Sequence, residues 1–141
     1  MKAVWLYRIA SIIFVLFAAG HTYGFLSFRP ASVEGRAVWE AMNNVRFQQG
    51  GASFTYAGFY VGFGLSATVF LLFLAFLTWY VGTLARNNPQ AVGPLGWALF
   101  VLQFVSIGMN WKYFSIAPAI FAAVLAAILG CAAWLVGATH T

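Results

Sequence analysis

The chain has 141 residues, enough for one domain, and 63% of them are hydrophobic while only 6% are charged. A soluble domain carries about a quarter charged residues, so this composition excludes a water-soluble surface. Seven basic and two acidic side chains give a formal charge of +5, but the basic residues stand singly near the ends of apolar segments. This arrangement favours anionic lipid headgroups over nucleic acid as the partner of the basic residues.

The apolar segments predict an all-α integral membrane protein, folded as a four-helix up-and-down bundle. A helix needs roughly 20 apolar residues to cross the hydrocarbon core of a bilayer. We predict spans at about 4–28, 54–84, 94–110 and 116–136. Lys2 and Arg8 before the first apolar run resemble the start of a signal peptide, but the run continues through Phe28. We therefore expect an uncleaved first helix.

A more polar segment separates the first two spans. Pro30 disfavours the helical conformation at Arg29, so the first helix must end there. Beyond it, Val38, Met42 and Val45 recur at helical spacing. We predict an amphipathic helix over about 31–49 that lies on the bilayer surface and ends at Gly50-Gly51.

The tryptophans support the up-and-down topology. Four of them fall at the face that carries the termini and two at the opposite face, namely Trp5, Trp79, Trp97 and Trp134, and then Trp39 and Trp111. Two aromatic belts of this kind are typical of membrane proteins. The numbers of lysine and arginine residues at the two membrane faces are nearly equal. The predicted orientation therefore depends on whether the arginines opposite the termini have structural roles. We take those arginines as structural and predict cytoplasmic termini.

Small residues follow two of the predicted spans at helical spacing. Gly58, Gly62 and Ser66 are each four residues apart in span two, and alanine stripes begin at Ala119 and Ala122 in span four. Small residues let helices approach closely in lipid. These stripes predict contacts within the bundle, with a homodimer as the alternative.

Antiparallel packing brings several polar side chains to one end of the bundle, beneath the surface helix that carries Glu40 and Arg46. Polar groups within a membrane span suggest a functional site. We predict that the ligand-binding residues are His21, Arg46, Tyr56, Tyr60, Asn110 and Lys112. His21 with Glu40 is the candidate pair for acid–base catalysis, because an imidazole beside a carboxylate can titrate near neutral pH.

No catalytic motif occurs in the chain, and several uses of these polar groups stay open. His21 is the only histidine within a span and Cys131 the only cysteine, so we predict no metal site and no cofactor. The first hypothesis is a non-enzymatic accessory or assembly subunit that binds a membrane protein or lipid, with the polar groups holding the helices together. The alternative is a membrane enzyme or binding protein for a lipid-like or quinone-like molecule at His21. In that case Arg46 or Lys112 binds an anionic headgroup.

Four separated motifs resemble those of one family. They are Ala19-Gly20-His21-Thr22-Tyr23-Gly24, Glu40-Ala41-Met42 with Arg46-Phe47, Phe59-Tyr60-Val61-Gly62-Phe63-Gly64-Leu65, and Trp111-Lys112-Tyr113-Phe114. In this order they are similar to a family of uncharacterised small bacterial membrane proteins with four spans, known by a locus-tag name. The resemblance implies a bacterial membrane location, which we take to be the inner membrane. It implies no activity, substrate or catalytic residue.

Overall fold

The fold is known from a computed structural model, which describes residues 2–138. These residues form five α-helices, a short 3₁₀ helix and one β-hairpin. In chain order the elements are α1 Lys2–Ser27, α2 Val33–Asn44, β1 Arg46–Gln49, β2 Ala52–Thr55, α3 Tyr56–Asn87, a 3₁₀ turn at Pro89–Ala91, α4 Gly93–Tyr113 and α5 Ile116–Gly137.

Four of these helices are long and apolar enough to cross a membrane: α1, α3, α5, and α4 together with the 3₁₀ turn before it. Their ends follow local signals. Helix α1 ends three residues before Pro30, and the Arg29 side chain donates to the carbonyls of Leu26 and Phe28 at 3.1 and 2.7 Å. Helix α4 has Pro94 in its first turn, where the missing N–H is not needed. It continues to Tyr113, three residues beyond the predicted end of the third span.

The segment between α1 and α3 differs from the single surface helix predicted over 31–49. Ser32 starts α2 by accepting a 3.0 Å hydrogen bond from the Gly35 amide. The helix ends at Asn44, and an antiparallel hairpin follows that pairs Phe47 with Phe54. Gly50 and Gly51 turn the chain with φ of 59° and 79°, values that favour glycine. The hairpin therefore replaces the last part of the predicted helix.

The chain divides into two compact units, and the boundary cuts through α1 and α3. Unit 1 contains the chain up to Phe17 and from Leu71 onward, and unit 2 contains Ala18–Phe70. Unit 1 holds the main hydrophobic core, which is centred on the fully buried side chains of Tyr7, Phe14, Leu125 and Leu129. Within it Ser11 on α1 donates a buried 2.7 Å hydrogen bond to the carbonyl of Ala75 on α3.

Small residues bring α4 and α5 together in unit 1. Gly96 faces Ala133 near the start of α4, Gly130 faces the Phe100 ring, and Asn110 near the end of α4 reaches Pro118. The contact moves toward the start of α5 as α4 advances, so the two helices are antiparallel. On α5, Ala119, Ala122 and Ala126 are buried while Ala123 and Ala127 are exposed. One predicted alanine stripe thus packs inward, and part of the other stays uncovered.

Candidate functional site

His21 belongs to unit 2, where its side chain bonds to the main chain. Its Nε2 lies 3.1 Å from the carbonyl oxygen of Gly64 on α3, a contact in which the ring nitrogen must donate. The ring also packs against Phe25, with centroids 5.2 Å apart. The Phe25 ring in turn lies over Gly64, so closely that a Cβ there would be 2.7 Å from it. His21 and Phe25 therefore attach α1 to α3 at Gly64, where the missing side chain leaves room for the Phe25 ring.

A second pair of polar side chains continues this α1–α3 contact one turn further along α3. The hydroxyls of Thr22 and Thr68 lie 2.7 Å apart, and Thr22 is also 2.8 Å from the carbonyl of Ala18. If Thr68 donates to Thr22 and Thr22 donates to Ala18, every hydroxyl hydrogen has an acceptor. The Thr68 hydroxyl also lies 3.2 Å from the Gly64 carbonyl, so His21 and Thr68 both have a donor within reach of that oxygen. The partly buried polar groups are satisfied within the unit, as polar groups between membrane helices normally are.

Glu40 lies on α2, in an open groove of about 390 Å³ at the junction with the end of α1. The residues that line it are Arg29, Pro30, Arg36, Trp39, Glu40 and Asn43. Arg36 uses one nitrogen to donate to the carbonyl of Ala31 at 2.6 Å. Among residues 2–138 Glu40 forms neither an ion pair nor a hydrogen bond with His21. The proposed pairing of these two side chains for catalysis thus stays a prediction.

The other predicted ligand residues of unit 2 contact the hairpin and the aromatic side chains. Arg46 donates from Nε to the Ser53 hydroxyl and from its terminal nitrogen to the Ser53 carbonyl, both at 2.9 Å. These bonds cross the hairpin and fix its two strands. Tyr56 packs on Phe47 with ring centroids 4.9 Å apart, and Tyr60 packs edge-on against Trp39 at 6.1 Å. Arg46 therefore stabilises the hairpin itself, while Tyr56 and Tyr60 hold the hairpin and α2 onto α3.

Asn110 and Lys112 belong to unit 1. The Asn110 amide donates to the carbonyl of Pro118 at 3.4 Å and so bridges the turn between α4 and α5. The Lys112 ammonium lies 5.1 Å from the ring centroid of its neighbour Tyr113. Gln103, on the same helix, is 4% exposed. His21 belongs to the other compact unit, and the grouping of Asn110 and Lys112 with it in one site stays a prediction.

Arg8, a basic residue near the start of the first span that was not among the predicted site residues, has a defined environment in unit 1. The guanidinium carbon of Arg8 lies 5.7 Å from the ring centroid of Trp5 and 4.9 Å from that of Trp79. Trp5 stands one turn before Arg8, a spacing visible in the sequence. Trp79 comes from α3, and only the packing of α1 on α3 reveals that contact.

The candidate residues do not form a metal centre. Across residues 2–138 no three His, Cys, Asp or Glu side chains are grouped in a way that could hold an ion. Comparison of the chain with protein-family models, with curated proteins and with solved structures finds no match. The resemblance of the four motifs to a bacterial family thus stays an expectation.

Proposed function

We propose that the chain is a non-enzymatic integral membrane protein, an accessory or assembly subunit that binds membrane lipid or another membrane protein. The observation that carries the proposal is the hydrogen bond from His21 Nε2 to the Gly64 carbonyl. Donation to a backbone carbonyl places the hydrogen on Nε2 and leaves Nδ1 as the acceptor nitrogen of the ring, and among residues 2–138 neither glutamate is hydrogen-bonded to His21. We assign His21, on the basis of this contact, to holding α1 against α3.

The other predicted site residues support the same interpretation. Arg46 bonds to Ser53, Asn110 bonds to Pro118, and Tyr60 packs on Trp39. Each of these contacts joins two segments of one unit. Side chains that stabilise a fold in this way need not meet a substrate, so the outer apolar surface becomes the functional surface. Large exposed side chains on α3, such as Phe70 and Phe76, make that surface suited to lipid or to helices of a partner.

In the arrangement that we propose, the four long helices form an up-and-down bundle in a bacterial inner membrane, with cytoplasmic termini. The apolar lengths of the helices and the short connections between α3, α4 and α5 support it. The arginines on the side opposite the termini have structural contacts in unit 2. Arg29 donates to the end of α1, Arg36 donates to Ala31, and Arg46 donates to Ser53. The proposed cytoplasmic location of the termini depends on these arginines having structural roles.

A lipid-like or quinone-like ligand remains the second candidate, and the groove on α2 is the observation that favours it. Two arginines and Glu40 line this groove together with the Trp39 side chain. A polar headgroup could meet the charged side chains there while its apolar part follows the indole. A proton-transfer role for His21 with Glu40 would further require the carboxylate to approach Nδ1, because Nε2 donates to the Gly64 carbonyl.

Two substitutions of His21 test the proposal. Leucine removes the donor, whereas glutamine keeps a donor near the position of Nε2. We expect His21→Leu to lower the free energy of unfolding by about 0.6–2 kcal/mol, the range for hydrogen bonds between membrane helices. His21→Gln should keep most of the stability, and both variants should keep the same co-purifying partners.

Native mass spectrometry of the gently extracted protein provides the readout for partners. Stoichiometric protein or lipid in the wild type and in both variants supports a subunit. A bound small molecule that disappears in His21→Gln while stability is unchanged would contradict the proposal. That result would instead favour a ligand or substrate site at His21.

A further inference from the structure

The Arg8 site, defined by Arg8, Trp5 and Trp79, holds a cation at the surface of unit 1. The guanidinium lies within 6 Å of both indole centroids, the range in which cation–π attraction operates. Gly82 on α3 permits the close approach of α1, because a Cβ at that position would lie 3.1 Å from the Tyr7 Cβ and in ordinary contact, at 3.9 Å, with the Arg8 Cγ. The stem of Arg8 therefore lies beside Gly82 on α3, and the guanidinium lies near both indole rings. Three contacts fix the side chain before any ligand arrives.

The two indoles hold the guanidinium but do not neutralise it. Arg8 Nε is buried and has no hydrogen-bond partner in the part of the chain that the structure describes. The two acidic side chains of the sequence, Glu34 and Glu40, both lie on α2 in the other unit. The charged side chains contributed by unit 1 are all basic, namely Lys2, Arg8, Arg86 and Lys112. An anion from outside the chain would complement this charge.

The site is accessible from the side on which lipid would lie. Trp5 is 63% exposed and Trp79 is 45% exposed, so both rings reach the outer surface of the helices. Tryptophan prefers the headgroup level of a bilayer, where lipid phosphates are found. Guanidinium groups bind phosphate through two parallel hydrogen bonds and keep their charge at all physiological pH values.

We propose that the Arg8 site binds the phosphate of an anionic phospholipid, with Arg8 donating to the phosphate oxygens and the two indoles holding the guanidinium in place. This inference rests on the proposed membrane location. It adds an anionic phospholipid as the ligand and the Arg8 site as the place where that ligand binds. It also gives a role to an arginine that would otherwise be an uncompensated charge beside a membrane helix.

The test is a lipid titration by native mass spectrometry, with phosphatidylglycerol and the zwitterionic phosphatidylcholine as the two probes. We expect the wild type to retain phosphatidylglycerol at least tenfold more tightly than phosphatidylcholine. Arg8→Gln should lose at least tenfold in phosphatidylglycerol affinity, the change that corresponds to one charge-assisted hydrogen bond. Arg86→Gln is the matched control, since it removes the same charge from unit 1 without an indole pair, and it should change affinity less than threefold.

Further measurements distinguish a lipid phosphate from free phosphate as the ligand, and they separate a loss of binding from misfolding. Arg8→Lys keeps the charge and loses the planar fork, so its affinity should fall between those of the wild type and Arg8→Gln. Sodium phosphate at millimolar concentration should not displace the lipid, and displacement would identify a free-phosphate site instead. The inference is overturned if the wild type does not prefer phosphatidylglycerol, a result that needs no variant, or if both arginine-to-glutamine variants lose equally.

Vesicle flotation separates this inference from the proposed function. A wild-type protein that fails to float with phosphatidylcholine vesicles would contradict membrane insertion itself, and the proposed function would fail with it. A protein that floats with these vesicles but shows no preference for phosphatidylglycerol would contradict the Arg8 site alone.

Discussion

Replacing Tyr7 with phenylalanine is expected to stabilise the chain. The Tyr7 side chain is fully buried in the core of unit 1, and its hydroxyl has no hydrogen-bond partner within residues 2–138. A buried hydroxyl that lacks a partner costs roughly 1–3 kcal/mol. The substitution removes this cost and loses only one atom of packing. We therefore expect the free energy of unfolding to rise by about 1 kcal/mol.

Gly96 makes the expectation more specific, because the Tyr7 hydroxyl occupies the space where a side chain at Gly96 would begin. A Cβ there would overlap the hydroxyl oxygen and lie 3.3 Å from the Ala133 Cβ. Alanine is favoured over glycine in a helix by about 1 kcal/mol, but overpacking costs about 1–3 kcal/mol. We expect Gly96→Ala alone to destabilise by up to about 2 kcal/mol, and to be neutral or stabilising when combined with Tyr7→Phe.

The four proteins of this double-mutant cycle can be compared by unfolding in mixed micelles with increasing sodium dodecyl sulfate, followed by tryptophan fluorescence and circular dichroism. The expected coupling between the two sites is about 1–2 kcal/mol, within the range for residues in contact. Effects that add to within about 0.5 kcal/mol would refute the close approach of Tyr7 to Gly96. A clear loss of stability in Tyr7→Phe would show that the hydroxyl has a partner after all.

Two further predictions concern unit 2. Gly64→Ala should lower the free energy of unfolding by about 1–2 kcal/mol, because the new methyl group displaces the Phe25 ring. Gly62→Ala, which meets nothing within 4 Å, is the matched control and should be neutral or stabilising under the same unfolding protocol, so equal effects would contradict the packing. Ser32→Ala removes the cap of α2 and should cost about 1 kcal/mol, seen as faster amide exchange in the first turn of α2 and unchanged exchange in α5.

The prediction of a surface helix that reaches residue 49 was wrong, although the sequence contains a signal for the hairpin that follows α2. The pattern at Val38, Met42 and Val45 suggested a helix to Gln49, but the helix ends at Asn44. Two adjacent glycines between short runs that contain aromatic residues are a known hairpin signal, since both turn positions need positive φ. The contact of Phe47 with Tyr56 then packs the hairpin against the start of α3. Only three apolar residues supported the helical periodicity, and they were too few to distinguish a helix from a strand.

The sequence identified the predicted site residues as polar groups that need partners, but it did not show which partners they have. His21 was expected beside Glu40, whereas its observed hydrogen bond goes to a backbone carbonyl. Every residue except proline offers both backbone groups, so residue type carries no information about such a partner. The environment of Arg8 could not be predicted either. Trp79 is 71 positions away from Arg8 in the sequence, and only helix packing brings the two side chains together.

The sequence by itself determined four helices that are long and apolar enough to cross a membrane, because that property is a sum over about 20 neighbouring residues. Their predicted limits lie within a few residues of the observed ones, since proline and glycine act locally. Only the tertiary structure decided which polar atoms meet: His21 with Gly64, Thr22 with Thr68, and Arg8 with Trp79. Those pairings depend on how two helices rotate against each other, which is set by many small contacts at once.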